Sequence, residues 1–358
     1  MKNELNIEGP ICPSPFSHNE QIVLGHGSGG RMSYDLIKKV FQPAFDNPVL
    51  NALNDAGIIP TPPDSTLVMS TDSHVVKPLF FNGGDIGRLA ICGTVNDLAM
   101  MGAVPLYLTA GFILEEGLEF KILEQVINSM CKAAEEAQVQ IVAGDTKVVE
   151  KGKADGLYIN TSGLGWRKKD LDISGAQAKP GDIVILSGSI GDHGIAVLEA
   201  RGELGFSSNV QSDIAPLNHL VQAMLKTGQK SKGNAIHVMR DPTRGGLATS
   251  LNEIAYQSNV CIFINEDDIP THPATRAACE LLGFDPLYVA NEGKLIAIIA
   301  ADTAEEILAT MKVTQYGKES TIIGEVISSP KNRVLMKTTI GSTRVVDMLS
   351  GEMLPRIC

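Results

Sequence analysis

Apolar positions in this chain recur with two periods, and the switches between them mark out its elements. Thr66-Leu67-Val68-Met69-Ser70-Thr71-Asp72-Ser73-His74 reads as a buried strand running into polar residues, and a period of two puts Ser70, Asp72 and His74 on one face. Between Gly83 and Gly102, Ile86, Leu89, Ala90, Val95, Leu98 and Ala99 recur at helical spacing. A strand over 106–114 precedes an amphipathic helix with Leu123, Val126, Ile127, Met130, Ala133, Ala134 and Ala137 along one side. Two further strands follow over 139–149, interrupted by Gly144-Asp145-Thr146-Lys147, and over 157–166.

The pattern restarts at Lys179-Pro180-Gly181-Asp182, a tight turn leading into a buried strand, a Gly/Ser loop and the apolar Ile195-Ala196-Val197-Leu198. At Asp241-Pro242-Thr243-Arg244-Gly245-Gly246, Thr243 is expected to cap a helix carrying Leu247, Leu251, Ile254 and Ala255. Gly245 and Gly246 weaken its first turn, so something must approach that backbone closely, an incoming phosphate being the natural candidate. A strand over 260–265, a short helix over 277–282, a pair of apolar strands joined by the tight turn Asn291-Glu292-Gly293-Lys294, a helix over 302–313 and strands over 321–327 and 333–339 complete the half. From Gly341 the pattern dissolves.

At 358 residues, and about 150 residues per domain, the chain is expected to form two α/β domains. The divisions fall at 1–60 (arm, Gly-rich loop and helix), 61–166, 167–340 and a mobile tail over 341–358. Thirty Lys and Arg against 41 Asp and Glu give a net charge of -11, which makes a nucleic-acid backbone an unsuitable general partner. The six cysteines form no CxxC pair, so neither zinc nor a disulfide framework is indicated and a reducing cytoplasm is expected. No stretch approaches the ~18 apolar residues of a membrane span.

Several residues carry candidate chemistry. Ile22-Val23-Leu24 enters Gly25-His26-Gly27-Ser28-Gly29-Gly30, a loop feeding a helix that carries Met32, Leu36 and Ile37. Gly27, Gly29 and Gly30 would let backbone N–H groups crowd a phosphate, but the spacing matches neither standard phosphate-loop pattern, so a plain flexible turn stands beside that reading. Asp72, just past a buried strand, is either a cation ligand or a turn acid. Asp85 lies near a helix start, where capping explains it. Asp97 sits at the end of the same helix, where the dipole disfavours a carboxylate, which marks it for function. Asp145 and Lys147 face the same way on an extended segment, as a phosphoryl-handling pair or a surface ion pair. Cys358 ends the chain after Pro355-Arg356-Ile357; it is either a carrier thiol, with Arg356 favouring the thiolate, or one more residue of a frayed terminus.

Taken together, Gly25-His26-Gly27-Ser28-Gly29-Gly30, Ser70-Thr71-Asp72-Ser73-His74, Gly83-Gly84-Asp85-Ile86-Gly87-Arg88, Asn96-Asp97, Gly144-Asp145-Thr146-Lys147, Asp241-Pro242-Thr243-Arg244-Gly245-Gly246, Asn291-Glu292-Gly293-Lys294 and the terminal Pro355-Arg356-Ile357-Cys358 resemble the HypE family of hydrogenase maturation factors. The resemblance runs from about residue 22 to the end. It implies an ATP-dependent carbamoyl dehydratase of the aminoimidazole ribonucleotide synthetase and selenophosphate synthetase superfamily, with two α/β domains, the first pairing with a second copy into a barrel-like sheet. It further implies ATP and Mg²⁺ as cofactors, a homodimer, the carbamoyltransferase HypF as the enzyme loading Cys358, and a HypC–HypD complex as acceptor of the cyano group. By family position Asp72, Asp97, Asp145 and Asp241 are metal-side acids, and Lys147 contacts phosphate. Glu292 is a base, and Gly27, Gly29, Gly30, Asp85, Thr243, Gly245 and Gly246 are on the nucleotide side. The rival expectations are another ATP enzyme of that superfamily acting on a free substrate, and a non-enzymatic carrier that nucleotide merely orders.

Overall fold

The computed structural model describes residues 21–27, 30–51, 59, 62–202, 208–228, 235–348 and 357. Its first half holds strands β1 (Ser65–His74), β2 (Phe80–Phe81), β3 (Gly84–Asp85), β4 (Val104–Glu115), β5 (Gln140–Val149) and β6 (Leu157–Lys168). The helices of this half are α1 (Gly30–Leu36), α2 (Gln42–Ala44), α3 (Pro48–Asn51), α4 (Ile86–Met100) and α5 (Phe120–Ala137). Four strands make one sheet in the order β1-β6-β4-β5. β4 and β5 run parallel, which requires a crossover, and α5 supplies it. The Gly-Asp-Thr-Lys stretch does not interrupt β5, which stays in register with β4 through Val149.

Helix α4 is apolar nearly all round and buried accordingly, packing on α5, β1 and β6 of its own half and on Asn218–Gly228 and Ile236–Arg240 of the second. α5 buries one stripe, Leu123, Val126, Ile127, Met130, Ala133, Ala134 and Ala137, as its periodicity requires. Ile22, Leu36, Phe41 and Phe45 belong to this same core, and the Phe41 and Phe112 rings lie 4.9 Å apart. Apolar side chains thus bind the described part of 21–51 to the first domain, while the arm expected over 1–20 lies outside the described residues.

The second half holds β7 (Ile183–Leu186), β8 (Ile236–Arg240), β9 (Cys261–Asn265), β10 (Ile296–Ile299), β11 (Thr321–Ile327), β12 (Arg333–Lys337) and β13 (Thr343–Val346), with α6 (Asp192–Ala200), α7 (Asn218–Gly228), α8 (Gly246–Ser258), α9 (Pro273–Leu282) and α10 (Ala304–Val313). Its seven strands follow the order β13-β12-β9-β11-β7-β10-β8. Central strands are covered on both faces: Val184, Leu186, Ile296 and Ile298 enter one core, Ile185, Ala297 and Ile299 the other. That is why they read as unbroken apolar runs.

Two sequence expectations change here. The pattern does not dissolve after Gly341, because Thr343–Val346 pairs with β12 and Asn252 Nδ2 donates to the Val346 carbonyl at 2.9 Å. Nor is Asn291-Glu292-Gly293-Lys294 a hairpin turn: the residues before it form a short 3₁₀ turn, Pro286–Tyr288, rather than a strand. Among the described residues Cys92, Cys131, Cys261 and Cys279 are free thiols, while Cys12 and Cys358 lie outside them. No described helix is long and apolar enough to cross a membrane.

Candidate active site

Four elements bring acids together where the two domains meet. Asp72 comes from the end of β1, Asp97 from the last turn of α4, Asp241 from just past β8, and Glu292 from the irregular segment before β10. Ser70, Asp72 and His74 do share the inner face of β1: the Ser70 hydroxyl donates to Asp97 Oδ2 at 2.6 Å, and His74 Nε2 lies 3.7 Å from Asp72 Oδ2. Arg244 approaches Asp72 Oδ1 at 3.9 Å from the second domain. Asn96 fastens the halves beside them, donating to the carbonyls of Ala215 at 3.0 Å and Glu292 at 3.2 Å.

The cluster carries more negative charge than its surroundings neutralise. Burial lifts the Asp97 pKa above the usual carboxylate range, although the Ser70 hydrogen bond pulls it back and Asp72 pushes it up again. Asp241 is raised to about 7, first by burial and then by Asp97. Glu292 is raised well above the normal glutamate value, by burial first and next by Asp241, Asp72 and Asp213. Its Oε1 is buried without a hydrogen-bond partner among the described residues, and such an orphan is costly unless a ligand or cation answers it. Oxygen donors in surplus negative charge suit a hard cation. Even so, no three described His, Cys, Asp or Glu side chains are close enough to enclose an ion by themselves.

The fourth expected metal-side acid is elsewhere. Asp72 lies opposite Thr161, Thr161 opposite Ala110, and Ala110 opposite Gly144, so Asp145, one residue further, points from the other face of the sheet. Three strand spacings, roughly 14 Å, also separate the two strands. Asp145 is held by Lys147, whose Nζ donates to Oδ1 and Oδ2 at 2.7 and 2.6 Å. This pair lowers the Asp145 pKa.

The pair stands at the rim of a cavity of about 390 Å³, floored by Ala110, Phe112 and Ile141–Lys147 of the sheet and roofed by His26, Gly27, Leu36, Phe41 and Phe45. Of the glycine loop, Ser28 and Gly29 lie outside the described residues, and Gly30 opens α1. A Cβ on Gly27 would stand 2.4 Å from the Val148 nitrogen, so this glycine is required by contact with β5.

Three residues expected on the nucleotide side make contacts within the chain. Asp85 is the N-cap of α4: Oδ1 accepts from Gly87 N at 2.7 Å and Arg88 N at 3.1 Å, and Oδ2 accepts from Ser129 at 2.5 Å. Both oxygens are thereby engaged. Thr243 does not cap α8; Gly245, at φ +74°, is the N-cap, and Gly246 N donates to the Thr243 carbonyl at 3.0 Å. Gly246, at φ +63°, lies against the chain itself, since a Cβ there would lie 2.5 Å from the Leu287 carbonyl oxygen.

Sequence reasoning missed Asp213 and His193. Asp213 Oδ1 accepts the Glu292 backbone N–H at 3.0 Å, and its Oδ2 lies 3.2 Å from Lys294 Nζ. His193, wholly buried, touches the end of the chain: its Nε2 is 2.9 Å from the Ile357 carbonyl oxygen. Cys358 lies outside the described residues, but its neighbour Ile357 is only 5 % exposed in this seat. A Gly-Asp-His-Gly run at a helix start was the available signal for His193.

Two mixed domains with acids converging between them define the aminoimidazole ribonucleotide synthetase-like class. Accordingly the family models described as AIR synthase related protein, N-terminal and C-terminal domains, match residues 53–166 and 179–337. Within that class the chain belongs to the HypE family, the carbamoyl dehydratases of hydrogenase maturation. It is 52 % identical to the carbamoyl dehydratase HypE of Cupriavidus necator over 338 residues, covering 94 % of this chain and 95 % of the relative. A crystal structure of hydrogenase maturation protein HypE in complex with ATP superposes with TM-score 0.89 at 49 % identity, over 94 % of this chain and 99 % of that one. The structure of a HypE–HypF complex is likewise 49 % identical, with TM-score 0.76 over 88 % and 99 % of the two chains.

Proposed function

We propose that this protein dehydrates a carbamoyl group carried on the Cys358 thiol to a thiocyanate, at the expense of ATP, supplying cyanide ligands for hydrogenase iron. The observation that carries it is the seat of Ile357 at His193, because Asp213 joins that seat to Glu292 and so to the acid cluster. An amide oxygen leaves poorly; once phosphorylated it leaves as phosphate. The amide nitrogen must also give up its protons, and Glu292, whose pKa burial raises, is suited to accept them. Its orphan oxygen is free to face the substrate.

The ATP complex of a 49 % identical relative supports nucleotide binding here. In this reading the apolar cavity under Phe41 and Phe45, with Lys147 and Asp145 at its rim, takes part of the nucleotide. Asp72, Asp97 and Asp241 would hold Mg²⁺, which would neutralise phosphate charge there. The outer face of the first sheet exposes Leu67, Met69, Val104 and Ile113, side chains that a second copy would cover. A homodimer of that kind would also bring a further Asp145–Lys147 pair to the assembly. Loading by the carbamoyltransferase HypF, transfer to HypC–HypD and a cytoplasmic location complete the proposal, the first supported by the HypE–HypF complex of a relative.

Mass spectrometry of the carbamoylated protein tests this. Loss of one water from the Cys358 peptide, seen with ATP and Mg²⁺ and absent in Cys358→Ser, is the expected result. A carbamoyl group unchanged by ATP would overturn it.

A further inference from the structure

Buried histidines are often satisfied core residues, and His193 deserves comparison with that reading. It sits in the first turn of α6, wholly buried, with the Phe81 ring edge-on at 5.6 Å. A carbonyl oxygen only accepts, so the 2.9 Å contact with Ile357 requires the hydrogen on Nε2. Nδ1 must then accept, and Ser212 Oγ stands 2.8 Å from it. That hydroxyl already accepts from Ile214 N at 3.3 Å, which leaves its hydrogen for Nδ1. The imidazole is thus held neutral in one tautomer, in keeping with the burial that lowers its pKa. Ser212 is anchored in turn, its N–H donating to the Asn82 carbonyl at 2.8 Å. An apolar residue would fill the space without this chain of polarity; what the histidine adds is one oriented donor aimed at the penultimate carbonyl.

We infer that His193 is a positioning residue that seats the chain end in the active site, its Nε2–H holding the Ile357 carbonyl while Ser212 fixes the tautomer. It touches no reacting atom. The inference rests on the carrier reading of Cys358 for its purpose, but not for its measurement. Holding Ile357 restricts where the residue after it can go, so breaking this bond is expected to make the Cys358 thiol react faster with a reagent in solvent.

The test uses full-length protein with iodoacetamide as probe and the C-terminal peptide followed by mass spectrometry. His193→Asn keeps a polar group at the Nδ1 position facing Ser212 but cannot reach Ile357, whereas His193→Gln extends an amide N–H to the Nε2 position. The Asn variant is expected to be alkylated at Cys358 roughly five- to tenfold faster than wild type, the effect of one neutral hydrogen bond, and the Gln variant close to the wild-type rate. In single turnovers of carbamoylated protein the Asn variant converts more slowly with an unchanged KM for ATP, and Gln recovers the rate. An Asn variant alkylated at the wild-type rate with an unaltered melting temperature overturns the assignment; so do Asn and Gln variants that are equally fast, which would mean packing alone. Should the Asn variant not fold, Ser212→Ala is read instead: faster alkylation supports the assignment and an unchanged rate overturns it. Full activity of Cys358→Ser would remove the carrier reading and leave these alkylation rates as valid as before.

Discussion

The side chain of Asn96 donates to the backbone carbonyl of Glu292 at 3.2 Å, joining the residue before Asp97 to the candidate base of the other domain. Asn96 Oδ1 also accepts from Leu217 N at 2.8 Å, so one amide spans the junction at three points with the Ala215 carbonyl. The acids are therefore held in mutual register by a neutral group, which adds no charge to a site already rich in it.

Glu292→Gln should lower the single-turnover dehydration rate by about a hundredfold or more, the usual contribution of a positioned base. ATP affinity should stay near wild type, and the protein should melt no lower, since a buried carboxyl with Oε1 unpartnered is replaced by a neutral amide. Calorimetric titration with ATP beside the rate separates the two effects; an unchanged rate removes Glu292 from the chemistry.

Gly246→Ala should cost about 1 to 3 kcal/mol of stability, because φ is +63° and the new Cβ would press on the Leu287 carbonyl. The loss should appear equally with and without nucleotide in thermal unfolding. A variant of normal stability with weakened ATP binding would instead restore the phosphate reading of this turn.

Met69→Glu places a charge amid the exposed Leu67, Val104 and Ile113 on the outer sheet face. Light scattering after size exclusion should show wild type at twice the chain mass and the variant at the monomer mass. Equal masses for both proteins would sink the dimer proposal.

His272 supplies a pH test. Burial opposes its charged form, but Asp192 and Glu319, at 2.9 and 3.3 Å, outweigh burial and raise its pKa. A raised folded-state pKa contributes stability that is fully present below the unfolded value, near 6.5, and is lost as pH rises through the folded value. Wild type should accordingly outmelt His272→Asn by more at pH 6 than at pH 9. A constant difference across that range would show that the ion pairs carry no linkage.

Much of this site was legible because acids at the ends of apolar runs are conspicuous. Asp97 stood out by opposing the helix dipole, and the structure gives it the Ser70 bond and a raised pKa. Period two correctly paired Asp145 with Lys147 inside one strand, but it says nothing about faces between strands; the registers from β1 to β5 were needed to separate Asp145 from Asp72. The glycines at 245 and 246 announced a crowded backbone without naming what crowds it. Asp213 and His193 stayed hidden because each acts on a segment remote in sequence, Glu292 and Ile357. Loop residues without periodicity offer no pattern from which such meetings can be read.

The pairing of Val346 with Val334 at the far edge of the second sheet fixes where the C-terminal segment is tethered. At about 3.5 Å per residue, the positions from Val346 to Cys358 span at most roughly 40 Å. That length is a leash. On the carrier reading proposed above, an enzyme that loads or unloads the thiol must bring its own reaction centre inside a sphere of that radius about the β13 edge, so partner choice becomes a matter of docking geometry before it is one of chemistry.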